Sequence, residues 1–575
     1  MKNRLQPIYD IAALCAARNI HQAILCPGSR NAPLILAFSR HPDIHCKSIT
    51  DERSAAFIAL GIGQQLKRPA VVVSTSGSAA FNFAPAVSEA YFARIPLLIF
   101  TADRPTEWVG QQDGQTIIQH NIFGSHVKRS YQLPQEYDHH DNQWAINRMV
   151  NEAISLSQEF PSGPVHINVP LREPLYPGDH QTGYSENIRV INELRPTYEG
   201  DNSIIAEVKE KWSAARSVLF VAGQQADDDL RSSVSQVCRR LNVPLIGDVL
   251  SNFHTEAETI RYADLILGSA SPAVLESLRP ELLVTFGESS ISKNLKSFLR
   301  THKPKWHWHV QQAGDIADTF QSITTVLRMS PRSFFNSLAD LSFPPSFDIR
   351  VQDTFCKRWR HAEKTTSQSL DRFYPQAKLG EAEVVFSVLR NLPATCNVHL
   401  ANSMSVRYAT QAGLLAHQKG VHVYANRGTS GIDGCNSTAV GHALVSDVPN
   451  VLITGDLAFF YDRNAFWHNY RIPNLHILLL NNHGGGIFKM IDGPGNIPEL
   501  DDFLVTKQSL TARKLCEEFS FDYSQLDSRE NLDSTVRHLL QPSGCTRLLE
   551  FNSEVETNKH ILHSLKRHIK DSYEQ

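Results

Sequence analysis

Short apolar runs alternate with helix-like stretches along most of this chain. In the first third, the runs predict strands at about 23–26, 70–73, 97–100 and 165–169. The segments between them predict a helix from about 51 to 66 and another, rich in small residues, from about 78 to 93. Alternation of this kind is typical of a doubly wound parallel sheet with helices on both faces.

The same alternation recurs twice more. A polar stretch from about 177 to 203 predicts a linker, and a second set of strands follows at 218–221, 245–246, 265–267 and 282–286. This middle part has no Gly-x-Gly-x-x-Gly, so the sequence does not support a dinucleotide there. After a proline-containing stretch near 330–347, a third α/β part runs from about 380 to the end. We therefore predict three doubly wound α/β domains, at 1–180, 200–345 and 375–575.

Composition narrows the class of protein. The chain has 575 residues, which suits several domains that each bury a core, and its net charge of −3 with no basic run argues against a nucleic-acid partner. The nine cysteines include no Cys-x-x-Cys pair, as expected of reduced thiols. Neither a signal-like start nor an apolar run of membrane-spanning length is present in the sequence. We expect a cytoplasmic protein with no membrane partner.

Two apolar runs in the last part, 451–454 and 475–480, carry the most informative polar residues. Asp456 and Asn482 lie at or just past the ends of these predicted strands, where open α/β sheets bind ligands. A divalent cation such as Mg²⁺ could take oxygens from Asp456, from Asn482 and from the backbone carbonyl of His483 or Gly484. The alternative is structural: Asp456 as a helix N-cap and Asn482 as a turn residue.

The stretch Gly455-Asp456-Leu457 followed by Asn481-Asn482-His483-Gly484-Gly485-Gly486 resembles the metal-and-diphosphate motif of thiamine diphosphate enzymes. Leu457 departs from the commonest form, which has glycine there. A second landmark, Glu52 in Asp51-Glu52-Arg53-Ser54, matches the glutamate that in those enzymes hydrogen-bonds the aminopyrimidine ring and promotes its imino tautomer. Taken alone, Glu52 could simply be a carboxylate placed favourably at a helix N-terminus.

Four further blocks narrow the family. They are Cys26-Pro27-Gly28-Ser29-Arg30-Asn31-Ala32-Pro33-Leu34, Phe100-Thr101-Ala102-Asp103-Arg104-Pro105, Asn402-Ser403-Met404-Ser405-Val406-Arg407 and Asn426-Arg427-Gly428-Thr429-Ser430-Gly431-Ile432-Asp433-Gly434. Together they resemble the 2-succinyl-5-enolpyruvyl-6-hydroxy-3-cyclohexene-1-carboxylate synthases of menaquinone biosynthesis. That family decarboxylates 2-oxoglutarate on thiamine diphosphate, with Mg²⁺ or Mn²⁺, and adds the resulting succinyl carbanion equivalent to isochorismate.

The resemblance implies roles for particular residues. Catalytic roles fall to Glu52, Gln115, Arg30, Arg407 and Arg427. Substrate-binding roles fall to Arg30, Arg104, Gln115, Lys293, Ser403 and Arg407. Cofactor contacts are expected from Glu52, Ser403, Gly431, Ile432, Asp456, Leu457, Asn482, Ile487 and Phe488, and metal ligands from Asp456, Asn482 and Gly484.

The chemistry of the substrates agrees with these roles. Both proposed substrates are dicarboxylates, and the planar fork of arginine suits carboxylates. Each arginine could instead be a solvated or structural cation, Ser403 a helix N-cap, and the apolar residues Ile432, Ile487 and Phe488 ordinary core. Gly114 is a second departure, because the family has asparagine beside the glutamine that matches Gln115.

The resemblance also implies an assembly. In the family, the pyrimidine-binding and diphosphate-binding domains that complete one cofactor site come from different subunits. A homodimer or a dimer of dimers is therefore expected, with 2-oxoglutarate and isochorismate as the small-molecule partners.

Three alternatives remain open from the sequence. One is another thiamine diphosphate enzyme, either a 2-oxo acid decarboxylase or an acetolactate-type synthase. Such decarboxylases carry a His-His pair soon after the first glutamate, whereas His139-His140 lies in a polar run predicted to be a loop. A non-catalytic nucleotide-binding or scaffold protein is the second. The third is a metal site at His307 and His309, which lacks a third ligand in the sequence pattern.

Overall fold

Three sheets of six parallel strands form the framework of the protein. The computed structural model describes residues 4–176, 183–194, 202–225, 227–341, 349–491, 493, 495 and 497–574. By internal contacts the chain forms two compact units. The first contains Met1–Arg195, Asn426–Asn450 and Ala458–Leu475, and the second contains Pro196–Ala425, Val451–Leu457 and His476–Gln575.

The first sheet lies in the first unit. Its strands are β1 (Gln22–Leu25), β2 (His45–Ser48), β3 (Ala70–Ser74), β4 (Leu97–Asp103), β5 (Ser130–Gln132) and β6 (Pro164–Pro170). Its helices are α1 (Gln6–Ala17), α2 (Ala32–Ser39), α3 (Glu52–Leu66), α4 (Ser78–Phe81), α5 (Ala84–Phe92) and α6 (His140–Gln158). Strands β3, β4 and β6 are buried along their whole length, which explains their apolar composition.

The middle sheet belongs to the second unit. Its strands are β7 (Val218–Ala222), β8 (Leu245–Gly247), β9 (Thr259–Ile260), β10 (Leu282–Phe286), β11 (Trp306–Val310) and β12 (Thr325–Leu327). The helices of this part are α7 (Asn202–Ala214), α8 (Asp228–Leu241), α9 (Ala263–Ser269), α10 (Pro272–Ser277), α11 (Lys293–Thr301), α12 (Pro331–Asp340) and α13 (Ile349–Phe373).

The last sheet completes the framework. Its strands are β13 (Thr395–Leu400), β14 (Gly420–Tyr424), β15 (Asn450–Gly455), β16 (Leu475–Asn481), β17 (Asp522–Leu526) and β18 (Arg547–Asn552). The helices here are α14 (Glu381–Arg390), α15 (Met404–Ala412), α16 (Cys435–Ala443), α17 (Asp456–Tyr461), α18 (Ile487–Met490), α19 (Arg513–Phe519), α20 (Leu532–Leu540) and α21 (Val555–Glu574).

The first and last sheets have the same strand wiring. The first has the order β2-β1-β3-β4-β6-β5, and the last has β14-β13-β15-β16-β18-β17, which is the same order counted from its own first strand. The middle sheet is wired differently, as β12-β11-β10-β7-β8-β9. The predicted class, three doubly wound parallel-sheet α/β domains, is confirmed.

Three local predictions were wrong. Residues 265–267, predicted as a strand, lie in α9, because a short apolar run does not distinguish a strand from a buried helix. The helix predicted over 78–93 is divided into α4 and α5, with a proline in the first turn of α5. His140 begins α6, whereas His139 caps the helix from outside it, so only the second histidine departs from the predicted loop. The predicted linker at 177–203 lies partly outside the described residues.

Helices α3 and α16 pack closely within the first unit. A Cβ on Gly61 would lie 2.2 Å from the carbonyl oxygen of Thr438, and a Cβ on Gly441 would lie 2.2 Å from that of Ile58. Both glycines therefore allow one helix backbone to rest against the other. Since α3 begins at Glu52, this crossing also fixes the helix that carries a candidate catalytic residue.

Replacing Gly61 with alanine should destabilise the first unit. The added methyl group would force the helices apart, and overpacking of this kind costs about 1–3 kcal/mol. We expect calorimetry of Gly61→Ala to show a thermal midpoint several degrees below that of the unmodified protein. The control is Gly183→Ala, where a Cβ would meet nothing within 4 Å. Equal midpoints for the two variants would contradict the close packing of α3 and α16.

Candidate active site

The first turn of α3 presents Glu52 between two anchored neighbours. Asp51 caps the helix by accepting a hydrogen bond from the Ser54 N–H at 2.9 Å and another from the Asn464 side-chain amide at 2.8 Å. Arg53 donates to the Tyr461 carbonyl at 2.9 Å. Glu52 itself is half-buried, and no described residue donates a hydrogen bond to its carboxylate. Because Asp51 supplies the cap, the Glu52 carboxylate is left for another partner.

Two arginines lie near each other at strand ends of the first sheet. Arg30, only 6% exposed, donates to the Leu171 carbonyl at 3.0 Å and pairs with Glu173 at 3.4 Å. Its pKa is lowered by burial and by the charge of Arg104. Arg104 pairs with Asp113 at 3.4 Å. Mutual repulsion between the two guanidinium groups would be relieved by an anion, so this pair fits a carboxylate ligand.

A buried polar network supports the segment around Gln115. Gln115 is exposed with φ of 56°, and its backbone passes within 3.3 Å of the position a Cβ on Gly77 would take. The buried Gln119 accepts from the Gly77 N–H at 2.8 Å and donates to Asn168 at 2.9 Å. Asn168 in turn donates to Asp103 at 2.8 Å. The network thus links the surroundings of Gln115 to the residue that precedes Arg104.

The segment that carries Arg427, Gly431 and Ile432 also lies in the first unit, and all three residues are half-buried. At one end of it, the Asn426 side-chain amide donates to the Thr438 hydroxyl at 3.0 Å. Because Ile432 is half-buried, part of its side chain is accessible to a ligand.

In the second unit, Asp456 begins α17 directly after β15 and is only 2% exposed. Its carboxylate accepts a hydrogen bond from the Gln508 side chain at 2.6 Å. Burial raises its pKa, while hydrogen bonds from Gln508 and from the backbone N–H groups of Leu457 and Gly484 lower it. The carboxylate is therefore more than a helix cap, since it also ties the ends of two strands together.

Asn482 presents its amide in a fixed orientation. Its Nδ2 donates to Glu381 at 2.9 Å, and Glu381 also accepts from the Ser553 hydroxyl at 2.8 Å. The Oδ1 of Asn482 is buried, and the described part of the chain offers it no donor. Glu381 is fully buried, which raises its pKa, while the hydrogen bonds from Ser553 and Asn482 lower it.

These residues fit a divalent cation. An orphaned amide oxygen on Asn482 and a buried carboxylate on Asp456 are the hard oxygen ligands that Mg²⁺ prefers. Gly484 adds a backbone carbonyl, which accepts one hydrogen bond from Gly486 and keeps a second lone pair. Sequence reasoning missed Glu381 and Gln508, because neither belongs to the motif; the only signal was a glutamate at the start of α14.

Ser403 does not cap α15. Its φ of 73° and ψ of −125° place a non-glycine residue in a strained backbone region, and its side chain makes no capping hydrogen bond. Its carbonyl instead accepts from Arg407 at 2.5 Å. The Ser403 hydroxyl therefore does not act as a helix cap, and its role in binding substrate or cofactor stays a prediction.

The other candidate residues of the second unit are one lysine and three apolar residues. Lys293 is exposed at the first position of α11, which Ser292 caps by accepting from the Leu295 N–H at 3.0 Å. Leu457, Ile487 and Phe488 are half-buried. Ile487 packs against the large core of this unit, so the core alternative holds for part of its side chain.

Two further sequence questions have structural answers. A Cβ on Gly114 would meet nothing within 4 Å, so the asparagine expected from the family would fit there.

The Thr285 hydroxyl lies 2.9 Å from His307 Nε2 and 2.8 Å from His309 Nδ1. These contacts give the two histidines a structural role within the middle sheet.

Two family models match the chain. The model described as "Thiamine pyrophosphate enzyme, N-terminal TPP binding domain" matches residues 9–125, and the "Middle domain of thiamine pyrophosphate" model matches residues 196–400. Thiamine pyrophosphate is another name for thiamine diphosphate. These matches support thiamine diphosphate as the cofactor.

Curated relatives match along nearly the whole length. A 2-succinyl-5-enolpyruvyl-6-hydroxy-3-cyclohexene-1-carboxylate synthase from Cytophaga hutchinsonii is 42% identical over 99% of this chain and 100% of its own. Proteins of the same name are 37% identical in Bacteroides fragilis, over 99% of this chain and 98% of theirs, and 36% identical in Phocaeicola vulgatus, over 96% and 95%.

A solved structure shares the fold. Benzoylformate decarboxylase from Polynucleobacter necessarius superposes with a TM-score of 0.71 over 96% of this chain and 99% of its own, at 16% identity. At that identity the likeness concerns the fold alone. Among the helices of the described residues, none is both long and apolar enough to cross a membrane.

Removing the Glu381 carboxylate should weaken divalent-cation binding. In Glu381→Ala the Asn482 amide loses the acceptor that orients it, and loss of such a supporting partner costs about 10–100-fold in metal affinity. Electron paramagnetic resonance of Mn²⁺, titrated with thiamine diphosphate present, measures this directly. Ser553→Ala is the matched control, because it leaves the contact between Glu381 and Asn482 intact and should bind Mn²⁺ nearly as the unmodified protein does. Unchanged affinity in Glu381→Ala would show that Glu381 does not orient a metal ligand.

Proposed function

The chain belongs to the 2-succinyl-5-enolpyruvyl-6-hydroxy-3-cyclohexene-1-carboxylate synthase family, and we propose how its own residues perform the reaction of that family. The protein decarboxylates 2-oxoglutarate on thiamine diphosphate and adds the remaining succinyl unit to isochorismate, with release of carbon dioxide. It is a transferase of menaquinone biosynthesis. The observation that carries this assignment is 42% identity over 99% of the chain.

We assign the three domains by their order. Residues 1–180 would bind the aminopyrimidine ring, residues 375–575 the diphosphate, and residues 200–345 would form the central domain. The shared strand order of the first and last sheets supports a common origin for the two cofactor-binding domains. Both are open parallel sheets, which bind ligands beyond the carboxyl ends of their strands.

Glu52 would hydrogen-bond the aminopyrimidine ring of the cofactor. Its carboxylate has no donor among the described residues, while its neighbours Asp51 and Arg53 are anchored. When bound, thiamine diphosphate supplies the carbanion-stabilising chemistry, and the protein supplies orientation and control of protonation. Contacts to the rest of the cofactor would come from Ser403, Gly431, Ile432, Leu457, Ile487 and Phe488.

The divalent cation would be held by Asp456, Asn482 and the Gly484 carbonyl. The ligands are oxygens, which suits both Mg²⁺ and Mn²⁺. Burial raises the pKa of the Asp456 carboxyl, and a cation there would compensate that burial. It would also give the buried Asn482 Oδ1 a partner.

The substrates would be held by cations. Arg30 and Arg104 lie together, and a substrate carboxylate between them would offset their repulsion. Arg407, Arg427 and Lys293 would contact the remaining carboxylates. No histidine or carboxylate among the candidates serves as a strong acid or base for the addition to isochorismate. Gln115 and the arginines would instead stabilise the developing charge through hydrogen bonds.

The assembly and the compartment follow from separate features. We propose a homodimer or a dimer of dimers, since several large apolar side chains are exposed on a single chain. Examples are Phe81, Phe92 and Phe503, whose exposed fractions are 57%, 54% and 76%.

All nine cysteines are free thiols, which supports a reducing compartment such as the cytoplasm.

The reaction can be tested directly. Purified protein with thiamine diphosphate and Mg²⁺ should consume 2-oxoglutarate much faster when isochorismate is present, and mass spectrometry should detect the adduct. The matched control replaces 2-oxoglutarate with pyruvate, which lacks the second carboxylate. Decarboxylation of pyruvate without any adduct from 2-oxoglutarate would instead identify a 2-oxo acid decarboxylase or an acetolactate-type synthase.

Glu52→Gln should nearly abolish turnover. Glutamine keeps the size of the side chain but cannot share a proton with the aminopyrimidine ring as a carboxylate does, so general acid–base catalysis worth about 10²–10⁴-fold is lost. Cofactor affinity measured by calorimetry should change little, because the diphosphate and metal contacts are untouched. Full activity in this variant would remove Glu52 from the mechanism.

A further inference from the structure

A buried glutamate that belongs to none of the sequence motifs holds the segment that carries Arg427. Glu89 lies on α5 and is only 1% exposed. Its carboxylate accepts hydrogen bonds from the Gly428 N–H at 2.7 Å, the Thr429 N–H at 2.6 Å and the Thr429 hydroxyl at 2.7 Å. Thus two consecutive backbone N–H groups and one hydroxyl converge on a single carboxylate.

The hydrogen bonds explain why a charged group is tolerated in this position. Burying a carboxylate is costly unless donors replace its lost hydration, and consecutive N–H groups form an anion-binding nest. Hydrogen bonds to an ionised acceptor are roughly twice as strong as neutral ones. The Glu89 carboxylate and the 428–429 backbone therefore hold each other in place.

Close packing reinforces this anchor. A Cβ on Gly428 would lie 2.5 Å from the Glu89 carbonyl oxygen and 2.9 Å from the Ala93 nitrogen. Only glycine lets the backbone lie this near α5. Two independent features, the nest and the missing Cβ, thus place the same two residues against the same helix.

The anchor acts directly on Arg427. The Gly428 N–H belongs to the peptide unit that also contains the Arg427 carbonyl, so fixing that N–H fixes the plane of the peptide after Arg427. On the other side, the neighbouring Asn426 is held by the Thr438 hydroxyl at 3.0 Å. The backbone is therefore fixed directly after Arg427, and the side chain of the residue before it is held as well, which constrains the direction in which the Arg427 side chain leaves the backbone.

We propose that Glu89 is a positioning residue for the synthase reaction, which fixes the backbone around Arg427 and so aims its guanidinium at a substrate carboxylate. This inference rests on the substrate-binding role proposed above for Arg427. Misplacement of a binding group by about 1 Å can cost on the order of 10²-fold in rate. Loss of the anchor should therefore reduce activity without removing any group that touches substrate.

Glu89→Gln is the decisive variant. The glutamine amide keeps one acceptor oxygen but turns a donor NH₂ toward the nest, where it opposes an N–H donor. We expect kcat/KM to fall about 10–100-fold, and amide hydrogen exchange of the peptide covering 427–434 to speed up at least tenfold. In an Arg427→Ala background, Glu89→Gln should change kcat/KM less than about twofold, because the group that it positions is already absent.

Four companion variants separate this role from general stability. Glu152→Gln removes an exposed carboxylate of the same unit, which pairs with Arg129 and Arg148, and should leave both readouts unchanged. Thr429→Val removes one donor of the nest and should have a smaller effect than Glu89→Gln. If Glu89→Gln does not fold, Glu89→Asp, shorter by one methylene, and Gly428→Ala, which disturbs the anchor from the opposite side, provide the same measurements.

The results discriminate between the proposals. Equal losses from Glu89→Gln in the unmodified and Arg427→Ala backgrounds, or unchanged exchange at 427–434, would overturn the positioning role. Full activity of Arg427→Ala would overturn it as well. If the unmodified protein forms no adduct from 2-oxoglutarate and isochorismate, the proposed function fails instead, and the exchange measurement alone still decides whether Glu89 holds the segment.

Discussion

Buried carboxylates that must be matched by donors determine how this protein holds its candidate site. A parallel sheet covered on both faces leaves polar groups little room except beyond the carboxyl ends of its strands. Directly after β15, Asp456 accepts from Gln508. Two carboxylates on helices are matched in the same way: Glu381 on α14 accepts from Asn482 and Ser553, and Glu89 on α5 accepts from the 428–429 backbone. Each carboxylate is stable only while its partners stay in place, so each one also fixes the segment from which those partners come.

Each unit has its own group of candidate ligand-binding residues. In the second unit, burial raises the pKa of the Asp456 carboxyl, and the buried Asn482 Oδ1 has no donor among the described residues. In the first unit, burial and the charge of Arg104 lower the pKa of Arg30, while Glu173 pairs with Arg30 and Asp113 with Arg104. The proposed cation would suit the oxygens of the second unit, and the proposed substrate carboxylates would suit the arginines of the first.

The sequence predicted the architecture well and some of its details poorly. Alternating apolar runs were enough for three doubly wound sheets, because strands such as β3, β4 and β16 are buried along their full length. The error at 265–267 came from a run too short to separate strand from helix. Strand β5 (Ser130–Gln132) and helix α13 were not predicted, since the first is three residues long and the second is largely polar.

The motifs in the sequence pointed to groups that would touch ligands, but not to those that position them. Asp456, Asn482 and Arg427 belong to recognisable sequence motifs. Glu89 instead contacts the backbone of Gly428, 339 residues later, and no local sequence pattern predicts a contact over such a separation. The segment at 426–434 is also fixed from its far end, because it leads into α16, which the glycines Gly61 and Gly441 bring against α3. The aim of Arg427 and the position of the helix that begins at Glu52 therefore depend on the same packing within the first unit. A change there would act on both residues together, although they lie far apart in the sequence.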